Sequence, residues 1–147
     1  QGYRPPAHWH QLRKATQKMP YNVIANGELW SPSDVTQCAK ISGCDTFMLA
    51  RGALCRPDLA AAIQSHHRGT QSTAFAWEQT RDLLIQFLER NRQCYDDRYA
   101  VNPVKQWLMY LRIYYPQAGA LFSQVKRIND PTQMAQALMA PSRSEAA

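Results

Sequence analysis

Two apolar runs, Val23-Ile24-Ala25 and Phe47-Met48-Leu49, each give way to small and polar residues, and they stand about two dozen residues apart. Between them, Ser31-Pro32-Ser33-Asp34 opens a segment with apolar residues at Val35, Cys38, Ala39 and Ile41, and Gly43 closes it. Ser31 has N-cap chemistry, Pro32 fits the first helical position where no N–H is needed, and Asp34 stands where a capping-box acid would. Strand, helix and parallel strand at this period constrain the chain to a βαβ unit more tightly than any other feature. Both runs put their unusual residues just past the carboxyl end of a strand, the edge at which α/β folds build ligand sites. Asn26-Gly27-Glu28 follows the first run and Ala50-Arg51-Gly52 the second.

The neighbouring pattern extends the unit. Trp9, Leu12, Lys14 and Met19 fit a short helix that ends before Pro20; the strands are expected over Val23–Ala25 and Thr46–Ala50. Arg56-Pro57-Asp58 opens another helix, with Leu59, Ala60 and Ile63 on its apolar side, running out near His66. Short apolar strands with helices between them imply a parallel sheet covered on both faces. Polar residues 68–72 read as a linker, and no strand-like run follows. Phe75 to Cys94 is helical, with Trp77, Leu84, Phe87 and Leu88 on one side. Asn102-Pro103 is expected to start a helix whose buried stripe is Val104, Trp107, Leu108 and Leu111 and which Pro116 ends. Ala118, Leu121, Phe122 and Val125 mark a third helix, and Met134, Ala135 and Leu138 a fourth after Asp130-Pro131. The expected fold class is therefore α/β plus all-α: a parallel α/β part over 1–67, the linker, a small helical bundle over 73–140 and a disordered tail over 141–147.

Composition excludes some classes. The apolar fraction of 45% supports a core, yet no stretch approaches the roughly 20 apolar residues of a membrane span. Gln1-Gly2-Tyr3-Arg4-Pro5-Pro6 has no charged lead followed by an apolar run, so it is not read as a signal peptide, and without an initiator methionine the expectation is a piece of a longer chain. Cys38, Cys44, Cys55 and Cys94 have no metal spacing, and His8, His10, His66 and His67 complete none, so free thiols in a reducing cytoplasm are expected, with no metal and no membrane partner. Cys55 follows the Arg51-Gly52 turn, but one thiol without a placed base does not define a nucleophile.

The strand-end residues suit an anion such as phosphate. Arg51 offers charge, the N–H groups of Arg51, Gly52 and Ala53 point the same way at a helix start, and Gly52 lets the main chain approach or take a positive φ. Asn26 and Glu28 would meet the same ligand from the neighbouring strand. Each phrase alone favours a structural turn; the pair at βαβ spacing favours a ligand site. The net charge of +6 fits either a polyanionic partner or a solvated basic surface. Lys105 and Arg112, seven apart on one helix, share a face; Lys126 and Arg127 are expected on the next helix, and Tyr110, Tyr114 and Tyr115 lie among them. Basic residues interleaved with aromatics suit RNA, or else form a solvated face beside a tyrosine-rich core. Trp107 has a core position.

Val23-Ile-Ala-Asn-Gly-Glu28, Ser42-Gly-Cys-Asp45 and Met48-Leu-Ala-Arg-Gly-Ala-Leu54 resemble the last two strand–loop units of the flavin-dependent tRNA-dihydrouridine synthases. Lys105-Gln-Trp-Leu-Met-Tyr-Leu-Arg112, with Tyr114-Tyr115 and Leu121-Phe122, resembles their helical tRNA-binding domain, and the subgroup most similar is tRNA-dihydrouridine synthase C. The resemblance implies the last part of a (β/α)₈ TIM barrel followed by that domain. It also implies NADPH-dependent reduction of a D-loop uridine with FMN relaying hydride. Asn26 and Glu28 would lie beside the flavin, Arg51 would hold the FMN phosphate with Gly52, and Lys105, Arg112, Lys126 and Arg127 would hold tRNA phosphates. Ala50 departs from the family's usual glycine, and its methyl is either tolerated or weakens the cofactor. No cysteine here has the catalytic Asn-x-Gly-Cys-Pro setting, so the fragment alone is expected to be inactive, and Gln1–Arg4 resembles the loop after strand 6. The rival reading is a non-catalytic RNA-binding helical module with a remnant half-barrel. Two parallel strands cannot close a barrel, so the isolated chain is expected to pair with the missing half, to associate with itself, or to leave that part poorly ordered.

Overall fold

A computed structural model describes residues 4–140 and divides the chain into two compact units, with the boundary between Ala74 and Phe75. The expectations for Gln1–Tyr3 and for the tail from Pro141 lie outside the described residues.

The first unit runs α1 (Trp9–Lys18), β1 (Ile24–Ala25), α2 (Pro32–Ser42), β2 (Thr46–Phe47), α3 (Arg51–Cys55) and α4 (Leu59–His67). The strands are parallel, with Ile24 opposite Thr46 and Ala25 opposite Phe47, and Met48 N–H extends the ladder to the Ala25 carbonyl at 2.8 Å. Both strands are shorter than expected, because after Ala25 and Met48 the chain turns into the loops that carry the polar residues. Ser31 caps α2 by accepting from Asp34 N–H at 3.2 Å. The Asp34 carboxylate reaches back one residue further than a capping box requires, accepting from Trp30 N–H at 3.0 Å. Gly43 ends α2 at φ +72°, the left-handed position glycine takes without penalty.

Side chains alternate across a strand, so Ala25 and Phe47 share one face while Ile24, Thr46 and Met48 share the other. Ala25 is buried with Leu29, Val35, Cys38 and Cys44, and Trp9, Leu12, Phe47, Leu49 and Ile63 pack against this group. Ile24 and Met48 are half-exposed. The expectation of a sheet covered on both faces is corrected: among the described residues the helices cover one face only. Ile41 and Ala60, expected on buried sides, are exposed as well, and Ala62 takes the inward place on α4.

The second unit contains α5 (Trp77–Cys94), α6 (Asp97–Leu111), α7 (Pro116–Val125) and α8 (Pro131–Met139). Leu84, Leu88, Val101, Val104, Leu108, Leu111, Val125, Met134 and Leu138 form one core shared by all four helices. Helix α6 begins five residues before Asn102, so Pro103 lies inside it rather than opening it. Proline removes one intrahelical hydrogen bond there; burial of Ala100 and Val101 in the turn before it holds the helix together. α6 ends at Leu111, ahead of the expected stop, and Pro116 instead starts α7. Asp130 caps α8, accepting from Gln133 N–H at 2.8 Å. No helix among the described residues is long and apolar enough to cross a membrane, and no group of three or more His, Cys, Asp or Glu among them is placed to hold a metal.

Candidate functional site

The carboxyl ends of β1 and β2 open onto a cleft of about 260 Å³ in the first unit, bordered by Asn26, Gly27, Glu28 and Arg51 on one side. The opposite side comes from the start of α1 and the residues before it, including Arg4, His8, Trp9 and Gln11. Trp9 Nε1 donates to the Gly27 carbonyl at 2.9 Å, joining the two walls. Three of the residues singled out from sequence therefore meet. The Arg4–Leu12 wall was not foreseen, since its residues show only the spacing of a short amphipathic helix.

Within the cleft, Glu28 and Arg51 bind each other. Arg51 Nη2 donates to Glu28 Oε1 at 3.1 Å, and Trp30 Nε1 donates to Glu28 Oε2 at 3.1 Å. The guanidinium carbon also lies 5.4 Å from the centre of the Trp30 ring, a cation–π distance. Trp30 was missed in the sequence; its spacing of two residues from Glu28 carries no signal on its own. Asn26 is exposed and its amide donates to Met48 Sδ at 3.6 Å.

Gly52 is buried beneath this group. A Cβ there would run into the Leu29 carbonyl oxygen and sit 3.0 Å from Leu59 Cδ2. Its need for glycine is thus a close backbone approach, one of the two reasons anticipated, and not a positive φ. Ala50 is exposed with φ −120°, a value open to any L-residue. Cys55 is buried, and that burial pushes its thiol above the usual range, the nearby Arg51 charge offsetting only part of the effect. A neutral, enclosed thiol is a core residue and not a nucleophile.

In the second unit the four basic residues take different settings. Lys105 Nζ donates to Asn129 Oδ1 at 3.1 Å, linking α6 to the turn between α7 and α8. Arg112 caps the C-terminus of α6 beside α7, its Cβ 3.7 Å from where a Gly119 Cβ would be. Lys126 and Arg127 are exposed in the turn after Val125, which corrects their expected place on a helix. Among the tyrosines, Tyr115 is buried, with its ring 5.9 Å from Trp77 and its hydroxyl donating to the Phe75 carbonyl at 3.2 Å. It belongs to the core and is closed to a base. Tyr114 is half-exposed, while Trp107 is partly buried edge-on to Phe87 at 5.1 Å. Sequence reading passed over Tyr95, at the end of α5, and Tyr99, in the first turn of α6, both half-exposed, with the Arg98 guanidinium 4.5 Å from the Tyr99 ring centre.

The β-α-β-α order, with polar residues gathered at the carboxyl ends of parallel strands, is compatible with a segment of a (β/α) barrel that binds a ligand at that end. The family model for dihydrouridine synthase (Dus) matches residues 1–145, and the chain belongs to this family of TIM-barrel proteins. It is 38% identical over 138 residues to a tRNA-dihydrouridine(16) synthase of Aquipseudomonas alcaligenes, covering 94% of this chain and 44% of that protein. A Shewanella oneidensis protein of the same name is 35% identical over 125 residues, 85% of this chain and 38% of the relative. One from Escherichia coli O157:H7 is 34% identical over 141 residues, 95% and 43% respectively. The chain spans about two-fifths of the length of these relatives.

Proposed function

We propose that this chain is the C-terminal part of an FMN-dependent tRNA-dihydrouridine synthase of the cytoplasm, which reduces a D-loop uridine of tRNA to dihydrouridine with NADPH. The observation that carries the reading is family membership over residues 1–145. The meeting of Asn26, Glu28 and Arg51 on one cleft supports it.

The residues present fit a flavin mononucleotide. Arg51 is half-exposed; its Nη2 bonds Glu28 and its guanidinium lies over the Trp30 ring, which leaves further N–H donors for a phosphate. The exposed Asn26 amide offers both a donor and an acceptor. Ala50, where the family usually has glycine, is exposed next to Arg51. Bound FMN supplies the hydride chemistry that saturates the uridine C5=C6 bond. Arg51 and Gly52 would hold its phosphate end and Asn26 and Glu28 would flank it, with Arg4, His8, Trp9 and Gln11 lining the same cleft.

The helical unit holds tRNA through Lys105, Arg112, Lys126 and Arg127. Lys105 and the turn bearing Lys126 and Arg127 lie together through the Asn129 contact, which favours one continuous phosphate-binding surface. The fragment has no cysteine in an Asn-x-Gly-Cys-Pro setting and does not catalyse alone.

Purification of the natural-length gene product tests the proposal. Flavin absorbance, release of FMN on denaturation and NADPH-dependent formation of dihydrouridine in tRNA are expected. A flavin-free protein that binds tRNA without modifying it would refute the enzymatic reading.

A further inference from the structure

Glu28 adopts φ +54°, in the left-handed region where glycine or asparagine is conformationally cheaper. Its backbone position does not call for glutamate, so the reason for the residue lies in its side chain. Both oxygens of that carboxylate are engaged: Oε1 accepts from Arg51 and Oε2 from the Trp30 indole. Trp30 is itself held, its backbone N–H donating to Asp34 Oδ2 and its ring lying against the Arg51 guanidinium. The three side chains close a triangle in which one edge and one face of the guanidinium are fixed, and its remaining edge is left at the cleft.

An ion pair with side-chain exposures of 48% and 28% contributes little to stability. Its effect is on direction. A long, flexible arginine held before the ligand arrives has less freedom to lose when the ligand binds. We propose that Glu28 and Trp30 are positioning residues that aim Arg51 at the phosphate of the bound ligand, the Glu28 carboxylate acting on that ligand through Arg51. This rests on the reading of Arg51 as the phosphate-binding residue.

The test compares binding of FMN with binding of riboflavin, which lacks the phosphate, by flavin fluorescence in the natural-length polypeptide. Wild type, Arg51→Lys, Glu28→Gln and Glu28→Gly are measured; the glycine variant relieves the positive φ and so keeps the loop folded. Loss of an orienting partner at metal sites costs about tenfold or more, and a similar fall in the FMN-over-riboflavin preference is expected in both Glu28 variants, with riboflavin affinity unchanged. If Arg51→Lys loses the preference while both Glu28 variants keep it, the positioning role is wrong and the phosphate role of Arg51 stands. A preference that rises in Glu28→Gln shows that the carboxylate competes with phosphate, and this also overturns the inference. Equal wild-type affinity for the two flavins overturns the reading of Arg51 and this inference with it.

Discussion

Gly52 lies against the carbonyl oxygen of Leu29, with Leu59 on its other side, so the helix that carries Arg51 is seated directly on the loop that follows Glu28. Two segments far apart in sequence are thereby held together where the candidate phosphate ligand and its partner must meet. Overpacking a closed site costs about 1–3 kcal/mol. Gly52→Ala is therefore expected to destabilise the first unit by about that amount and to weaken FMN binding, read by denaturant titration and flavin fluorescence. An unchanged midpoint would show that the approach is looser than described.

The helical surface is tested by salt. Four phosphate contacts on single-stranded RNA predict a slope of about −3 for log K against log salt concentration. Lys105→Ala combined with Lys126→Ala should reduce that slope by about 1.4, two contacts' worth, as measured by filter binding or fluorescence anisotropy. Affinity independent of salt would remove these residues from the RNA surface.

Tyr115 separates the core reading from the stacking reading of the tyrosines. Tyr115→Phe removes the hydrogen bond to the Phe75 carbonyl and should cost about 1 kcal/mol, with tRNA affinity unchanged. Truncation to alanine should cost about 3–5 kcal/mol, as for other large buried rings. Thermal or urea unfolding gives both numbers, and a loss of RNA binding by the folded phenylalanine variant would contradict the assignment.

Thiol reactivity should follow burial. Cys94 is exposed, whereas Cys38, Cys44 and Cys55 are enclosed. Burial raises the Cys38 and Cys55 thiols above their usual range. One cysteine is expected to alkylate quickly in the folded chain and three slowly, as resolved by peptide mass mapping. The raised values also set a direction for stability: the unfolded chain loses these thiol protons first. The contribution is complete below the unfolded thiol pKa and is lost as pH rises from there through the folded values. Unfolding midpoints that rise across this alkaline window would contradict the assignment.

The open sheet face predicts association. Ile24 and Met48 stand on the uncovered side of a two-stranded parallel sheet, which among the described residues has no further strand on either edge. The 147-residue chain should self-associate in sedimentation experiments, and Ile24→Lys with Met48→Lys should reduce that association. A monodisperse monomer at high concentration would show that the face needs no partner.

Local chemistry made much of this molecule legible in advance. Ser31, Pro32 and Gly43 bound α2 through capping geometry that depends on residues within a turn of one another. Asp130-Pro131 starts α8 in the same way, and the stripe from Val104 to Leu111 marks a buried face because helical periodicity is a local property. The motif residues Asn26, Glu28 and Arg51 were visible because two strand ends at βαβ spacing must lie side by side. The start of α6 was not visible: Asn102-Pro103 reads as a helix start, but burial of Ala100 and Val101 carries the helix back to Asp97, and that burial comes from other helices. Whether Tyr115 stacks on RNA or belongs to a tyrosine-rich core likewise stays open in the sequence until Trp77 and Phe75 are brought against it. Sequence alone determined the order of elements and the chemistry available at the strand ends. Only the tertiary structure decided that Arg51 is held by Glu28 and Trp30, that Gly52 is needed for Leu29, and which face of the sheet stays open. These are contacts between residues distant along the chain, and no periodicity encodes them.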